Sequence, residues 1–160
     1  MSALPATAGG PILVAVDFSA DSELALVWAA RQAELEGAPL IVLHVVHDPA
    51  ASPGFYRKPD ENWLRPMVDV AEDMMAEFLK SAKAEHPDLP ALASARADLV
   101  SGLPAGRIVE TAQDESARLV VVGSRGRTGL ETILLGSVAE RVAQTCPVPV
   151  VIVKAPDAGP

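Results

Sequence analysis

Four apolar runs, one of them broken only by His44, divide the chain: Ile12 to Val16 (ILVAV), Leu40 to Val46 (LIVLHVV), Leu119 to Val122 (LVVV) and Val150 to Val153 (VVIV). Short runs of this kind, rich in β-branched residues and without alternation, suit strands buried on both faces. A weaker segment, Ala91 to Leu99, alternates through Ser94, Arg96 and Asp98 and reads as an exposed or edge strand. The segments between these runs carry helical periodicity. From Ser19 to Glu36, Leu24, Leu26, Val27, Ala30, Ala33 and Leu35 recur at helix spacing. Ser19 or Asp21 is placed to cap the start and Gly37 the end. The longest helix is predicted from Glu61 to His86, with a stripe of Trp63, Met67, Val70, Ala71, Met74, Phe78, Leu79 and Ala82, and it stops before Pro87 and Pro90. After a turn at Ser101-Gly102-Leu103-Pro104, a third helix from about Ala105 to Ser116 turns Ile108, Val109 and Ala112 inward. A fourth runs from Ser137 to about Thr145 and ends at Cys146-Pro147.

Strands alternating with helices define a mostly parallel α/β sheet. One domain accounts for residues 1–160, with a core over about 11–154 and tails at 1–10 and 155–160. Parallel sheets of this type take ligands beyond the carboxyl ends of their strands, where the strand order reverses. Asp17, Val45 and Gly123 lie at or near such ends. The segment His47 to Asp60, with three prolines and a glycine, is predicted to be a loop of a length able to cover a site.

The most distinctive stretch follows the third apolar run. Gly123-Ser124-Arg125-Gly126-Arg127-Thr128-Gly129 is a glycine-rich turn, and after an apolar bridge Gly136-Ser137 opens the last helix. Backbone N–H groups of such a turn and of a helix start can face an anion. Two common phosphate loops are excluded. The pattern G-x-x-x-x-G-K-S/T requires a Gly-Lys pair, and the chain has none. The dinucleotide fingerprint G-x-G-x-x-G differs in spacing and belongs after the first strand.

Composition narrows the partners. A net charge of −8 disfavours a broad phosphate-backbone contact and argues against nucleic acid. The aromatic share of 4% leaves the core to Val, Leu, Ala and Ile. The single cysteine, Cys146, offers no internal disulfide and fits a reducing, cytoplasmic setting. MSALPATAGG has neither the basic region nor the apolar core of a secretory signal, and no apolar run is long enough to span a membrane.

Gly123-x-x-Gly126, nine residues, then Gly136-Ser137 is similar in spacing to the ATP-binding branch of the universal stress protein family. The resemblance extends over Val14 to Ser19 (VAVDFS), Val42 to Val46 (VLHVV), Val100 to Ala112 (VSGLPAGRIVETA) and Leu134 to Val153 (LLGSVAERVAQTCPVPVVIV), covering Ile12 to Lys154. It implies a doubly wound, five-stranded parallel sheet of order 3-2-1-4-5, adenine nucleotide alpha hydrolase-like and flanked by four helices. It also implies ATP, with Mg²⁺, across the ends of the first and fourth strands. In that arrangement Asp17 contacts ribose or adenine, Ala15, Val16 and Val122 wall the adenine, and Val45 offers it backbone groups. Gly123 lies against the ribose, and Gly126, Gly136, Ser137 and Val138 hold the phosphates. A homodimer pairing through Val150 to Val153 is implied as well.

Each assignment has a plainer counterpart. Asp17 also suits a helix start, and Ser137 an N-cap. Arg125 and Arg127 either reach polyphosphate oxygens or point into solvent. His44 within an apolar strand reads as a satisfied core histidine, and Met67, Met74 and Met75 as core or flexible filler. His44 and His47 have no further metal ligand at suitable spacing. No nucleophilic triad and no obvious general base stand out. Binding is therefore expected over dedicated catalysis, giving an ATP-binding regulatory or sensor module in a stress response. A slow ATPase or self-phosphorylating enzyme, and a nucleotide-free dimeric interaction protein, are the alternatives.

Overall fold

The central strand of the sheet is β1 (Ile12–Ala15), flanked in parallel by β2 (Leu40–His47) and β4 (Leu119–Gly123). β3 (Arg96–Gly102) pairs beyond β2 and β5 (Val150–Val153) beyond β4, giving the expected order 3-2-1-4-5. The computed structural model describes residues 9–48, 61–125 and 135–156, and of residues 61–64 the backbone only. Ile12 sits opposite both Leu40 and Leu119, which sets the amino ends of the three inner strands level, while β2 runs on to His47, past the Leu43 that faces the last residue of β1. The strand order reverses between β1 and β4.

Alternate strand residues feed two cores. On one face Ile12, Val14 and Val42 pack with Leu26, Ala29 and Met75. On the other Leu13, Ile41 and Leu43 pack with Ile108, Ala112 and Val142. Helices α1 (Ala20–Glu36), α2 (Glu61–Glu85) and α3 (Pro90–Ser94) supply the first layer. Helices α4 (Pro104–Asp114) and α5 (Ser137–Thr145) supply the second.

Helix α1 is bounded as its sequence indicates. Ser19 Oγ accepts the Ser22 N–H at 3.2 Å, and Gly37 closes the helix in the left-handed conformation at φ 61°. Ser19→Ala is expected to cost about 1 kcal/mol of stability by removing that cap, measurable as a fall in urea midpoint at unchanged m-value. The buried face differs from the predicted stripe: Leu35 is 82% exposed and Leu24 39%, while Ala25, Leu26, Ala29, Ala30 and Ala33 face the sheet. Alanines allow α1 to lie close over β1 and β4, an approach that leucines would prevent.

The segment predicted as one edge strand from Ala91 to Leu99 is two elements. Pro90 occupies the first position of α3, where its missing N–H costs nothing, and Leu92 is fully buried beneath it. The next orphan donor, the Ala91 N–H, reaches the Glu34 carboxylate of α1 at 2.6 Å. The described helices therefore number five rather than four. The edge strand begins only at Arg96 and continues through Ser101 and Gly102, which the sequence assigned to a turn. Gly102, at φ 143°, ends it in a conformation that suits glycine.

Candidate functional site

A cavity of about 740 Å³ opens over the carboxyl ends of β1, β2 and β4. Its floor is Ala15, Val16, Asp17, the stretch from Leu43 to His47, and Val122 to Arg125. One wall is the first half of α2 (Pro66, Met67, Val70, Ala71 and Met74), and the other is Pro104 and Ile108 of α4. Gly136, Ser137, Val138 and Ala139 close one end with the first turn of α5. A largely apolar cleft with a few convergent polar groups, placed where the strand order reverses, is the usual form of a small-ligand site.

The chain reaches this cleft through a tightly bonded turn after β1. Asp17 Oδ1 accepts the Ser19 N–H at 3.0 Å, and Ser22 Oγ donates to the Ser19 carbonyl at 3.0 Å. Between them Phe18 adopts φ 66°, a left-handed conformation that is an outlier for a bulky side chain. Such strain costs of order 1–3 kcal/mol and persists where the surroundings fix it. Here the Phe18 ring lies 4.4 Å from that of His44 and meets Phe78 edge-on at 5.5 Å. His44 in turn bonds the Val16 carbonyl through Nδ1 at 2.8 Å. The histidine is satisfied on that side, as expected, and it also lines the cavity.

At the opposite end the two halves of the glycine-rich stretch return to each other. The Gly136 N–H donates to the Ser124 carbonyl at 2.6 Å, and the Glu140 N–H closes the first α5 turn onto the Gly136 carbonyl at 2.9 Å. Gly136 is thus the N-cap and Ser137 the first helical residue, not the cap. The Gly136 N–H is committed to Ser124. Ser137, Val138 and Ala139 occupy the helix positions whose N–H groups have no carbonyl four residues back, and they face a ligand space with the positive end of the helix dipole.

Sequence reasoning missed Asp21, read there only as a cap alternative. Its carboxylate is buried at 8% exposure, accepts from Ser124 Oγ at 3.3 Å and pairs with Arg125 Nε at 3.2 Å. Arg125 therefore lines the cavity with one donor already held. Gly123 has an equally structural reason to be glycine: a Cβ there would stand 3.0 Å from the backbone carbon and oxygen of Asp21. Met67, read as core or flexible filler, and Val70 of the same apolar stripe are 42% and 58% exposed and line the cavity with Met74; only Met75 of the methionine group is buried core. An apolar stripe cannot distinguish a helix face on a core from one on a cleft.

Of the twelve predicted site residues, Ala15, Val16, Asp17, Val45, Val122, Gly123, Arg125, Gly136, Ser137 and Val138 all line this one cavity. Gly126 and Arg127 lie outside the described residues, as do residues 49–60 of the proposed covering loop. Among the described residues, no three His, Cys, Asp or Glu side chains gather as a metal site. No described helix is long and apolar enough to cross a membrane.

Comparison with known proteins gives a consistent result. The family model described as the universal stress protein family matches residues 10–154. Universal stress protein Rv2623 of Mycobacterium tuberculosis is 36% identical over 153 residues, covering 96% of this chain and 48% of its own length. The chain thus spans about half the length of that curated relative. A universal stress family protein from Burkholderia pseudomallei has a similar fold, with a TM-score of 0.63 and 27% identity over 94% of this chain and all of its own. The universal stress protein of Archaeoglobus fulgidus in complex with dAMP matches with a TM-score of 0.57 and 27% identity, covering 91% of this chain and 98% of its own.

Proposed function

The chain belongs to the universal stress protein family, and on that premise we propose that it is a regulatory module that binds ATP in the cavity over β1, β2 and β4. The observation that carries this reading is the cavity's polarity gradient. Apolar walls from Ala15, Val16, Val122 and the α2 methionines suit a base, and the first turn of α5 at one end suits phosphates. The dAMP bound by the Archaeoglobus protein supports an adenine nucleotide as the ligand class. Asp17 at the β1 end is placed for the sugar or the base, and Ser137 and Val138 for the phosphates. Mg²⁺ would be held mainly by the nucleotide's own phosphates and water.

Binding rather than dedicated turnover fits the side chains present. Asp17 Oδ1 holds its own turn and the Asp21 carboxylate is held by Ser124 and Arg125, roles that favour positioning over proton transfer. The reading extends to a homodimer through β5, an edge strand with all four residues half-buried and one side unpaired in the described sheet. A free Cys146 is consistent with a cytoplasmic setting.

The test is to denature the purified protein and identify any released nucleotide, then follow turnover of fresh ATP with Mg²⁺. ATP recovered near one per chain, with no multiple turnover over minutes, is the expected result. Multiple turnover would move the protein to the slow ATPase reading. Neither released nucleotide nor binding of added ATP would favour a nucleotide-free interaction protein.

A further inference from the structure

Asp21 stands in the first turn of α1 with its carboxylate buried, a placement that needs compensation. The positive end of the α1 dipole favours an anion there. Ser124 Oγ donates to Oδ2 at 3.3 Å, and Arg125 Nε donates to the same oxygen at 3.2 Å. Both donors come from consecutive residues just past β4, and the residue before them completes the arrangement. Gly123 carries no Cβ where one would stand 3.1 Å from the Asp21 Cβ, so the two main chains can approach closely enough for these contacts.

The carboxylate thereby fixes more than its own helix. The Ser124 carbonyl accepts the Gly136 N–H at 2.6 Å, which ties the start of α5 to the same strand end. A guanidinium is a rigid plane of donors, and holding it at Nε sets the directions of the others. Among the described residues Nε is the one nitrogen of Arg125 with a hydrogen-bond partner, and the residue lines the same cavity as Gly136 and Ser137. An unheld arginine gives up rotamer freedom when it binds a ligand; one already held has less to lose. We infer that Asp21 is a positioning residue for the phosphate end of the site, holding Arg125 so that its terminal nitrogens are available to polyphosphate oxygens. This deepens the nucleotide reading above and rests on it. The carboxylate has two opposed effects on an anionic ligand: its charge repels, and its hydrogen bond orders Arg125. The charge is already countered by the guanidinium at 3.2 Å and by the helix dipole, so the ordering effect prevails.

The experiment measures ATP and adenosine by equilibrium dialysis, at fixed pH, salt and Mg²⁺, in wild type, Asp21→Ala, Arg125→Ala and the double variant. Adenosine lacks phosphates, so the ratio of the two affinities isolates their end of the site. Each single variant should lower the ATP-to-adenosine ratio about tenfold, the worth of one charge-assisted hydrogen bond. The double variant should lie within about twofold of Arg125→Ala, because Asp21 acts through that arginine. General loosening of the fold would not produce this non-additivity. Asp21→Asn, whose amide oxygen accepts more weakly than a carboxylate, should show about a threefold loss that also vanishes when Arg125 is alanine, and it serves if Asp21→Ala does not fold. An unchanged ratio in either alanine variant, a further loss in the double variant, or tighter ATP binding in either Asp21 variant would overturn the assignment while leaving nucleotide binding intact. Binding of neither ligand to wild type would overturn both.

Discussion

Ser137→Asp is expected to weaken ATP binding by about 10- to 100-fold while leaving the melting temperature of the nucleotide-free protein unchanged or slightly raised. Ser137 is the first residue of α5, exposed at the end of the cavity that Gly136 and Val138 also line. A carboxylate in the first turn of a helix is favourable by about 0.3–1 kcal/mol, because it meets unpaired N–H groups and the positive dipole end. The same charge beside a polyphosphate is repelled. Two unit charges 4 Å apart interact by about 4 kcal/mol near a protein surface before salt screening reduces it. One substitution thus moves folding and binding in opposite directions. Ser137→Ala separates hydroxyl from charge: losing a single neutral hydrogen bond should cost roughly 2- to 10-fold. Titration calorimetry with ATP, alongside thermal melts without it, reads both. Unchanged ATP affinity in Ser137→Asp would remove the phosphates from α5 and leave the cavity to some other ligand.

The sheet was legible because its inner strands are dry on both faces. Ile12 to Ala15, Leu40 to Val46 and Leu119 to Val122 show no polar alternation, His44 being the one polar residue among them, and that composition has few other uses. The family resemblance supplied the strand order, which apolar runs by themselves leave open. What could not be read depends on partners far away in the chain. α3 is five residues long, too short for periodicity, and exists because Leu92 is buried and Glu34 receives the Ala91 N–H. Leu24 and Leu35 looked like core because they are leucines at helix spacing, yet the helix turns its alanines to the sheet.

The site was legible in the same uneven way. Ten of its twelve predicted positions gather in one cavity, because strand ends and a helix start are local features that the sequence marks. Its α2 wall was not foreseen, since Met67 and Val70 fit a buried stripe equally well. Nor was the Asp21 pairing, which joins the first turn of α1 to residues about a hundred positions later. Phe18 carries no local signal for a positive φ; its conformation follows from the His44 and Phe78 rings that enclose it.

The glycines most easily read as phosphate ligands differ in what they do, and Gly123→Val exposes the difference. Ordinary van der Waals contact begins beyond the 3.0 Å that even a bare Cβ at this position would keep from the Asp21 backbone. Valine adds two methyl groups to that Cβ, and the neighbour that must move is main chain at the start of α1. Overpacking of this kind costs about 1–3 kcal/mol. For a chain of this size that corresponds to a melting temperature lower by roughly 2–12 °C, measured without nucleotide. Moving Asp21 also displaces the carboxylate that holds Ser124 and Arg125, so ATP binding should fall as a secondary effect. Gly136→Ser is the informative partner. Gly136 has φ −69° and ψ 157°, extended backbone open to any residue, and serine is at least as good as glycine at an N-cap. That variant should melt at or slightly above the wild-type temperature, so any loss of ATP affinity in it reports on the ligand space directly. A Gly123→Val protein as stable as wild type would mean that the glycine is kept for the nucleotide after all.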